Sequence, residues 1–422
     1  IAILNGLEAD PQDYIPIPEV RKFGTSVYER EGKPVFVTCG ARGIVCIDAT
    51  GISEIPGIQL ARKLDTVGAG DTTISALTLC LAAGIPPAES AEFANLAAAV
   101  TVQKLFTTGT ATGEEILALN QDVDFNYQPE LAADLRQANY LPGTEIEVCN
   151  EEVLSSTGNV KHALFDHDGT ISTLRQGWEL VMEPVMIRAI LGDQYETADN
   201  RLYREVRDRV LAYIDLSTGI QTILQMEALV EMVHEFNLVP KTEILDQFGY
   251  KKRYNDALME QVNSKLAKLR TGQLDRDDFT LKGSIGFLES LKEKGVKLYL
   301  ASGTDKQDVI NEAQILGYAG LFDGGIFGSE NDIRKYSKKL IINRIMQENK
   351  LRGDELVVFG DGPVEIKECI KSEGIAFGVA SDEIRRFGLN REKRSRLIRS
   401  GADFIIPDFS QKERLMELLF KS

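Results

Sequence analysis

LFDHDGT, residues 164–170, decides the reading of this chain. Leu164 and Phe165 close an apolar run, Asp166 and Asp168 follow with one residue between them, and Gly169-Thr170 complete a turn. Paired carboxylates at the end of a β-like run read as a reaction centre, because strand ends are where polar groups reach a crevice. The 160 residues before them therefore need a separate explanation.

At 422 residues the chain exceeds one ordinary core and predicts two or three domains. With 43% hydrophobic and 27% charged residues, each can bury a core without disulfides or metals. No run approaches the length of a membrane span. IAIL followed by Asn5 reads as a buried strand, so the chain is expected to begin in the middle of something longer. The net charge of −16 argues against a nucleic-acid partner, since phosphate backbones select basic surfaces. Both halves share the acidity, with 8 basic and 14 acidic side chains in residues 1–120. Cys39, Cys46, Cys80, Cys149 and Cys369 show no CxxC spacing, which fits free thiols in a reducing cytoplasm. Three histidines are too few for a His-rich metal site.

Along the chain, VFVTCGARGIVCI at 35–47 predicts two strands joined by a glycine turn. DTTISALTLCLAA at 71–83 predicts a helix opened by Asp71 and Thr72 and stopped by Gly84 and Pro86, and a second Ala-rich helix follows. Residues 121–160 lose periodicity and gather Pro129, Pro142, Gly143 and Gly158, so they are read as a linker between a domain at 1–120 and another at 161–422. From 175 to about 275 apolar residues recur at helical spacing, as in WELVMEPVMIRAIL and TILQMEALVEMVHEF, which predicts a helical insertion. Strand and helix then alternate to the end, the pattern of a doubly wound parallel sheet. Its strand runs end at Asp166, Ser302 and Asp361, and such ends converge on one crevice.

On DxDGT (Asp166, Asp168, Gly169, Thr170), on Ser302 in LASGT, on a lysine in RKYSKK and on GDGPVE with Asp361 and Glu365, the half from about 160 resembles the haloacid dehalogenase superfamily of phosphohydrolases. The resemblance implies a Rossmann-like core with an α-helical cap and Mg²⁺ as cofactor. It implies Asp166 as the nucleophile that forms an aspartyl-phosphate, and Asp168 as general acid and then base. It further implies Ser302 and a lysine on the phosphoryl group, and Asp166, Asp168, Asp361 and Glu365 around the metal. Lys338 fits the lysine's place, with Lys335 and Lys339 as alternatives. His167 alternates away from its neighbours and reads as structural. Arg175, Trp178, Glu179, Arg204 and YKKRY at 250–254 are cap candidates for reading the leaving group, and REKRSRLIR at 391–399 reads as a solvated helix.

DTVGAGDT at 65–72, with VTCGARG at 37–43 and NGLE at 5–8, resembles the ribokinase-like (PfkB) carbohydrate kinases. By that resemblance Gly68, Ala69 and Gly70 form an anion hole at a helix start, Asp71 is the base, and Asn5 and Glu8 organise Mg-ATP. Asn95 and TTGTAT at 107–112 fall where nucleotide contacts are expected. The family's sugar-binding half, which precedes the NxxE element, is missing, so this domain reads as a C-terminal half. The fold expected is α/β, with two doubly wound domains. The function expected is Mg²⁺-dependent hydrolysis of a small phosphorylated metabolite, a sugar phosphate in the first instance. A phosphomutase, a bifunctional kinase/phosphatase and a kinase remnant used for docking stand as alternatives.

Overall fold

A computed structural model describes residues 15–60, 64–107, 109–121, 123–218, 220–329 and 336–420. Asn5, Glu8 and Lys335 lie outside the described residues. The chain divides into two units, 1–133 and 134–422.

In the first unit α1 (Ile17–Glu31) ends on Gly32, which takes the left-handed conformation at φ 65°. Strands β1 (Val35–Thr38), β2 (Ile44–Asp48) and β3 (Gly51–Ile55) form an antiparallel sheet in that order. β4 (Gly57–Ile58) pairs with β5 (Phe125–Asn126). Helices α2 (Ala69–Ala82), α3 (Pro87–Thr101), α4 (Gly113–Asn120) and α5 (Pro129–Ala133) complete it. Small residues decide the packing: Ala76, Ala91, Ala94 and Ala97 are buried with Ile44, Cys46 and Ile55, so α3 can lie close to the sheet and α2 close to α3.

The second unit is built on a seven-stranded sheet. Its strands are β6 (Glu147–Val148), β7 (His162–Phe165), β8 (Lys297–Asp305), β9 (Gly325–Ser329), β10 (Leu356–Gly360), β11 (Ile375–Val379) and β12 (Phe404–Ile406), ordered β6-β12-β11-β10-β7-β8-β9. All pairs are parallel except the edge strand β6 against β12. β10 and β11 are buried along their whole length, as continuous apolar runs in a sheet covered on both faces should be. Phe165, Phe359, Phe377 and Phe404 stack across four adjacent strands with ring centroids 4.6–4.8 Å apart.

The insertion predicted between the first two strands is four helices, α6 (Trp178–Leu191), α7 (Asn200–Leu216), α8 (Thr222–Phe236) and α9 (Gln247–Arg270). Residues Met182, Met186, Val210, Met226, Leu229 and Val262 are buried among them. The remaining helices are α10 (Ser284–Glu293), α11 (Lys306–Ile315), α12 (Lys338–Asn349), α13 (Pro363–Lys371), α14 (Arg391–Arg399) and α15 (Lys412–Leu419).

Two expectations are corrected. Residues 134–160 are not a free linker: Val148 pairs with Phe404, Asn150 Nδ2 donates to Asp403 Oδ1 at 2.9 Å, and Arg394 donates to both oxygens of Glu147 at 2.6 and 2.5 Å. Nor is α14 a solvated helix. Lys393 and Arg394 are buried, because their carboxylate partners lie on distant segments that local periodicity does not reveal.

Candidate active site

The register of the sheet assembles the site. Phe165 lies opposite Phe359 on one side and Leu300 on the other, so the residues just beyond, Asp166, Asp361 and Ser302, emerge at neighbouring strand ends. Asp166 N–H donates to the Phe359 carbonyl at 2.9 Å and locks this juxtaposition. Gly169 has φ +73°, and a Cβ there would sit 2.2 Å from Asp361 Oδ2. Only glycine lets the first motif pass the fourth so closely.

Asp166, Asp361 and Glu365 bring carboxylate oxygens within 4.8 Å of one another, all buried. Lys338, at the start of α12, donates to Asp166 Oδ1 at 2.8 Å and to Glu365 Oε2 at 2.7 Å. Lys339, an alternative to Lys338 in the sequence, is exposed. Glu365 Oε1 also accepts from Gly362 N–H at 2.7 Å, which fixes the lysine's holder. Burial pushes the Asp166 carboxyl well up, Glu365 and Asp361 push it further, and Lys338 opposes them. Burial works against the Lys338 cation, but Asp166 and Glu365 prevail and raise it above the ordinary lysine value. Two ammonium groups, Lys338 and Lys393, face four carboxylates, Asp166, Asp361, Glu365 and Glu383, which leaves surplus negative charge. Such a set of hard oxygen donors fits a divalent cation of the Mg²⁺ type.

Asp168 faces another way. Its Oδ2 accepts from Ser302 Oγ at 3.1 Å and Thr304 Oγ1 at 3.0 Å, and its carboxylate groups with His167 and Glu312, not with the other three acids. Arg175 binds Glu312 Oε1 at 2.7 Å and Asp308 Oδ2 at 3.3 Å, with Asp168 Oδ1 3.9 Å away. Burial works against ionising Asp168, yet His167 and Arg175 hold its carboxyl below the usual range. His167 is fully buried and bonds the Tyr318 hydroxyl at 2.7 Å, the structural role its alternation predicted.

Asp166, Asp168, Ser302, Lys338, Asp361 and Glu365 all lie within one family's matched range. A haloacid dehalogenase-like hydrolase model covers residues 160–371, half of the chain. The chain belongs to the haloacid dehalogenase-like hydrolases. The match falls on its second unit, with the mixed α/β core, parallel sheet and helical insertion just described. A pfkB family carbohydrate kinase model covers residues 16–139, so part of a kinase domain precedes the hydrolase in the same chain. Curated relatives include the bifunctional protein HldE of Trichlorobacter lovleyi, 52% identical over 60 residues, 14% of this chain and 12% of that protein. HldE of Shewanella sediminis is 32% identical over 169 residues, 38% of this chain and 33% of its own length. The chain thus spans about a third or less of these relatives. Among solved structures, a beta-phosphoglucomutase from Clostridium difficile is 16% identical at TM-score 0.40, covering 62% of this chain and 97% of its own. A predicted phosphoglycolate phosphatase from Haemophilus somnus is 16% identical at TM-score 0.41, covering 61% and 98%.

The kinase-like turn of this hydrolase is built differently from its aspartate pair. α2 begins at Ala69, two residues before the predicted start, after Gly68 turns left-handed at φ 83°. Asp71 therefore sits inside the first turn and is exposed, as is Gly70. Asp65 anchors the turn by accepting from Val67 and Phe106 N–H at 3.1 and 3.0 Å. Asn95 Nδ2 donates to the Pro56 carbonyl at 2.8 Å, and Thr112 caps α4 in a capping box with Glu115. Thr108 lies outside the described residues.

Of the cap candidates, Arg175, Trp178 and Tyr254 line the cleft beside Asp166 and Asp168, while Arg204 is exposed. Burial raises the Glu179 carboxyl, and Lys393 opposes it. Sequence reasoning missed Lys393, which donates to Asp361 Oδ2 at 2.7 Å and to Glu383 Oε1 at 2.5 Å. It also missed Thr304 and Glu312. The spacing of Leu397 and Ile398 marks a buried face on α14 but not the partners of Lys393 and Arg394.

Proposed function

We propose that this protein is a Mg²⁺-dependent phosphatase of a small phosphorylated metabolite, most simply a sugar phosphate, working through an aspartyl-phosphate. The observation that carries the reading is the buried group of Asp166, Asp361 and Glu365 around Lys338, opening on a cleft that Asp168 and Ser302 also line. Asp166, Asp361 and Glu365 would hold the metal, which when bound neutralises phosphoryl charge and keeps Asp166 ionised. Asp168, whose carboxylate groups elsewhere, is left free for proton transfer.

The Asp166 carboxylate attacks phosphorus while Lys338 offsets the negative charge that meets there. Asp168, held ionised by its surroundings, must first take up a proton; it then gives that proton to the departing ester oxygen and takes one back from the water that hydrolyses the aspartyl-phosphate. Ser302 and Thr304, both donating to Asp168 Oδ2, orient that carboxylate; Ser302 would bond a phosphoryl oxygen by turning its single hydroxyl proton from Asp168 to the substrate. The strongly acidic net charge supports a small-molecule partner in a reducing cytoplasm, with neither nucleic acid nor membrane engaged. No helix among the described residues is long and apolar enough to cross a membrane.

Hydrolysis of p-nitrophenyl phosphate, with and without Mg²⁺, tests this reading. We expect loss on chelation and a fall of at least ~10³-fold in Asp166→Asn, the scale of removing a covalent nucleophile. Unchanged turnover in that variant overturns it. The pfkB match favours a second reading, a bifunctional kinase/phosphatase in which Gly68, Ala69, Gly70 and Asp71 serve phosphoryl transfer from ATP. ATP titration of the wild type and Asp71→Asn tests that.

A further inference from the structure

The cleft has two chemically distinct ends. At one, Asp166 and Lys338 mark where phosphorus must sit. At the other, the cap supplies Trp178, Ile220, Thr222, Gln225, Tyr254 and Leu258, none of them charged. Among the described lining residues Arg175 is the one cation, and its guanidinium is already bound to Glu312 and Asp308 with Asp168 alongside. Three carboxylates share this guanidinium and the buried His167 ring, so that wall has no cation to spare. An anionic group on the leaving side would be buried there without a partner, which is costly.

Uncharged hydrogen-bonding atoms, by contrast, are in surplus. Gln225 is buried, and its amide nitrogen donates to the Ser217 carbonyl and hydroxyl at 3.3 and 3.1 Å, leaving its carbonyl oxygen without a donor among the described residues. Tyr254 is 4% exposed, and its hydroxyl has no hydrogen-bond partner among the described residues; burial pushes that hydroxyl far above ionisation near neutral pH. The Thr222 hydroxyl and the Trp178 indole N–H are likewise uncommitted within the described residues. Together they offer donors and acceptors suited to hydroxyls, beside two aromatic faces.

We infer that the cleft selects monophosphates whose leaving group is uncharged and hydroxyl-bearing, with Thr222, Gln225, Tyr254 and Trp178 setting the choice, and disfavours esters carrying a second anionic group. The inference rests on the phosphatase reading above and narrows it. It also disfavours a mutase, which must hold a second phosphate.

Matched substrates test it on the full chain. Glycerol 3-phosphate and 3-phosphoglycerate differ in a hydroxymethyl against a carboxylate, as do glucitol 6-phosphate and 6-phosphogluconate. We expect kcat/KM to favour the uncharged member of each pair by at least ~10-fold, the scale on which a polar site rejects a mismatched partner. Thr222→Arg, checked for folding by circular dichroism, should cut that ratio at least ~10-fold by supplying the missing cation. If that variant does not fold, the near-isosteric Tyr254→Phe replaces it. It should lower kcat/KM for glucitol 6-phosphate by ~5-fold or more, with a smaller effect on p-nitrophenyl phosphate. Ratios near one or reversed, or a folded variant that leaves the selectivity unmoved, overturn the inference while Asp166-dependent hydrolysis of p-nitrophenyl phosphate stands. Absence of that hydrolysis overturns the phosphatase reading itself.

Discussion

DHDGT and DTVGAGDT are signals of similar length and similar glycine and aspartate content, yet their environments are opposites. Asp166 is 4% exposed and shares its surroundings with two more carboxylates and Lys338. Asp71 is exposed in the first turn of α2. A buried carboxylate has to be compensated by specific cations, so the hydrolase site is held by side chains from four segments of the chain. The kinase-like turn is a left-handed glycine ahead of a helix start, which a local sequence can build unaided.

Removing the compensating charge should separate the two loops most. Lys338→Met without added divalent cation is expected to destabilise the second unit by about 3–5 kcal/mol, with part recovered on adding Mg²⁺. Asp71→Asn should change stability by less than about 0.5 kcal/mol. Urea unfolding followed through Trp178, the chain's single tryptophan, reads the second unit directly. Equal, small effects from both substitutions would erase the contrast.

Glycine substitution sharpens it. In Gly169→Ala the new Cβ would meet Asp361 Oδ2 at 2.2 Å, so phosphate-ester hydrolysis should fall by about 10²-fold or more as the strand ends are forced apart. At Gly70 nothing lies within 4 Å of an added Cβ, and the residue is helical, so Gly70→Ala should stabilise by about 0.5–1 kcal/mol without affecting that hydrolysis. Initial rates and thermal melts of both variants decide this.

Acid response gives the smallest separation. Burial raises the Asp403 carboxyl to about 6, partly offset by its bonds from Ala376 N–H and Asn150. Because this value exceeds the unfolded 3.8, its contribution is complete below the unfolded value and is lost as pH rises through about 6. Between pH 7 and pH 4 the wild-type second unit should therefore gain about 2–3 kcal/mol relative to Asp403→Asn. In the first unit the bond from Lys104, with help from the Thr112 N–H, lowers Glu115 to about 2, so its contribution is present above 4.5 and is lost only as pH falls through about 2. Protection of the α4 amides, relative to their intrinsic exchange rates, should stay flat between about pH 5 and 7. A Trp178-reported stability that does not rise on acidification would remove the difference.

Much of the hydrolase was legible because its elements are local. WELVMEPVMIRAIL and TILQMEALVEMVHEF coincide with α6 and α8, since period and length together specify a helix. The strand runs ending at Asp166 and Asp361 kept their places for the same reason. Lys393 and Arg394 were misread because a buried cation is recognisable only through its partner. Glu147 lies 247 positions from Arg394, and Asp361 and Glu383 lie on other segments from Lys393. Residues 134–160 were misread because β6 is two residues long and its ladder depends wholly on β12.

By itself, then, the sequence determined the order of elements, the aspartate pair at a strand end, the helical insertion and the glycine-opened helix of the first unit. All of these are written in spacings of a few residues. Only the tertiary structure bound Lys338 to both Asp166 and Glu365, turned Asp168 away from Asp166, Asp361 and Glu365, and joined Lys393 to Asp361. Those decisions depend on the free energy of burying charge, which is set by whichever groups packing brings within a few ångströms.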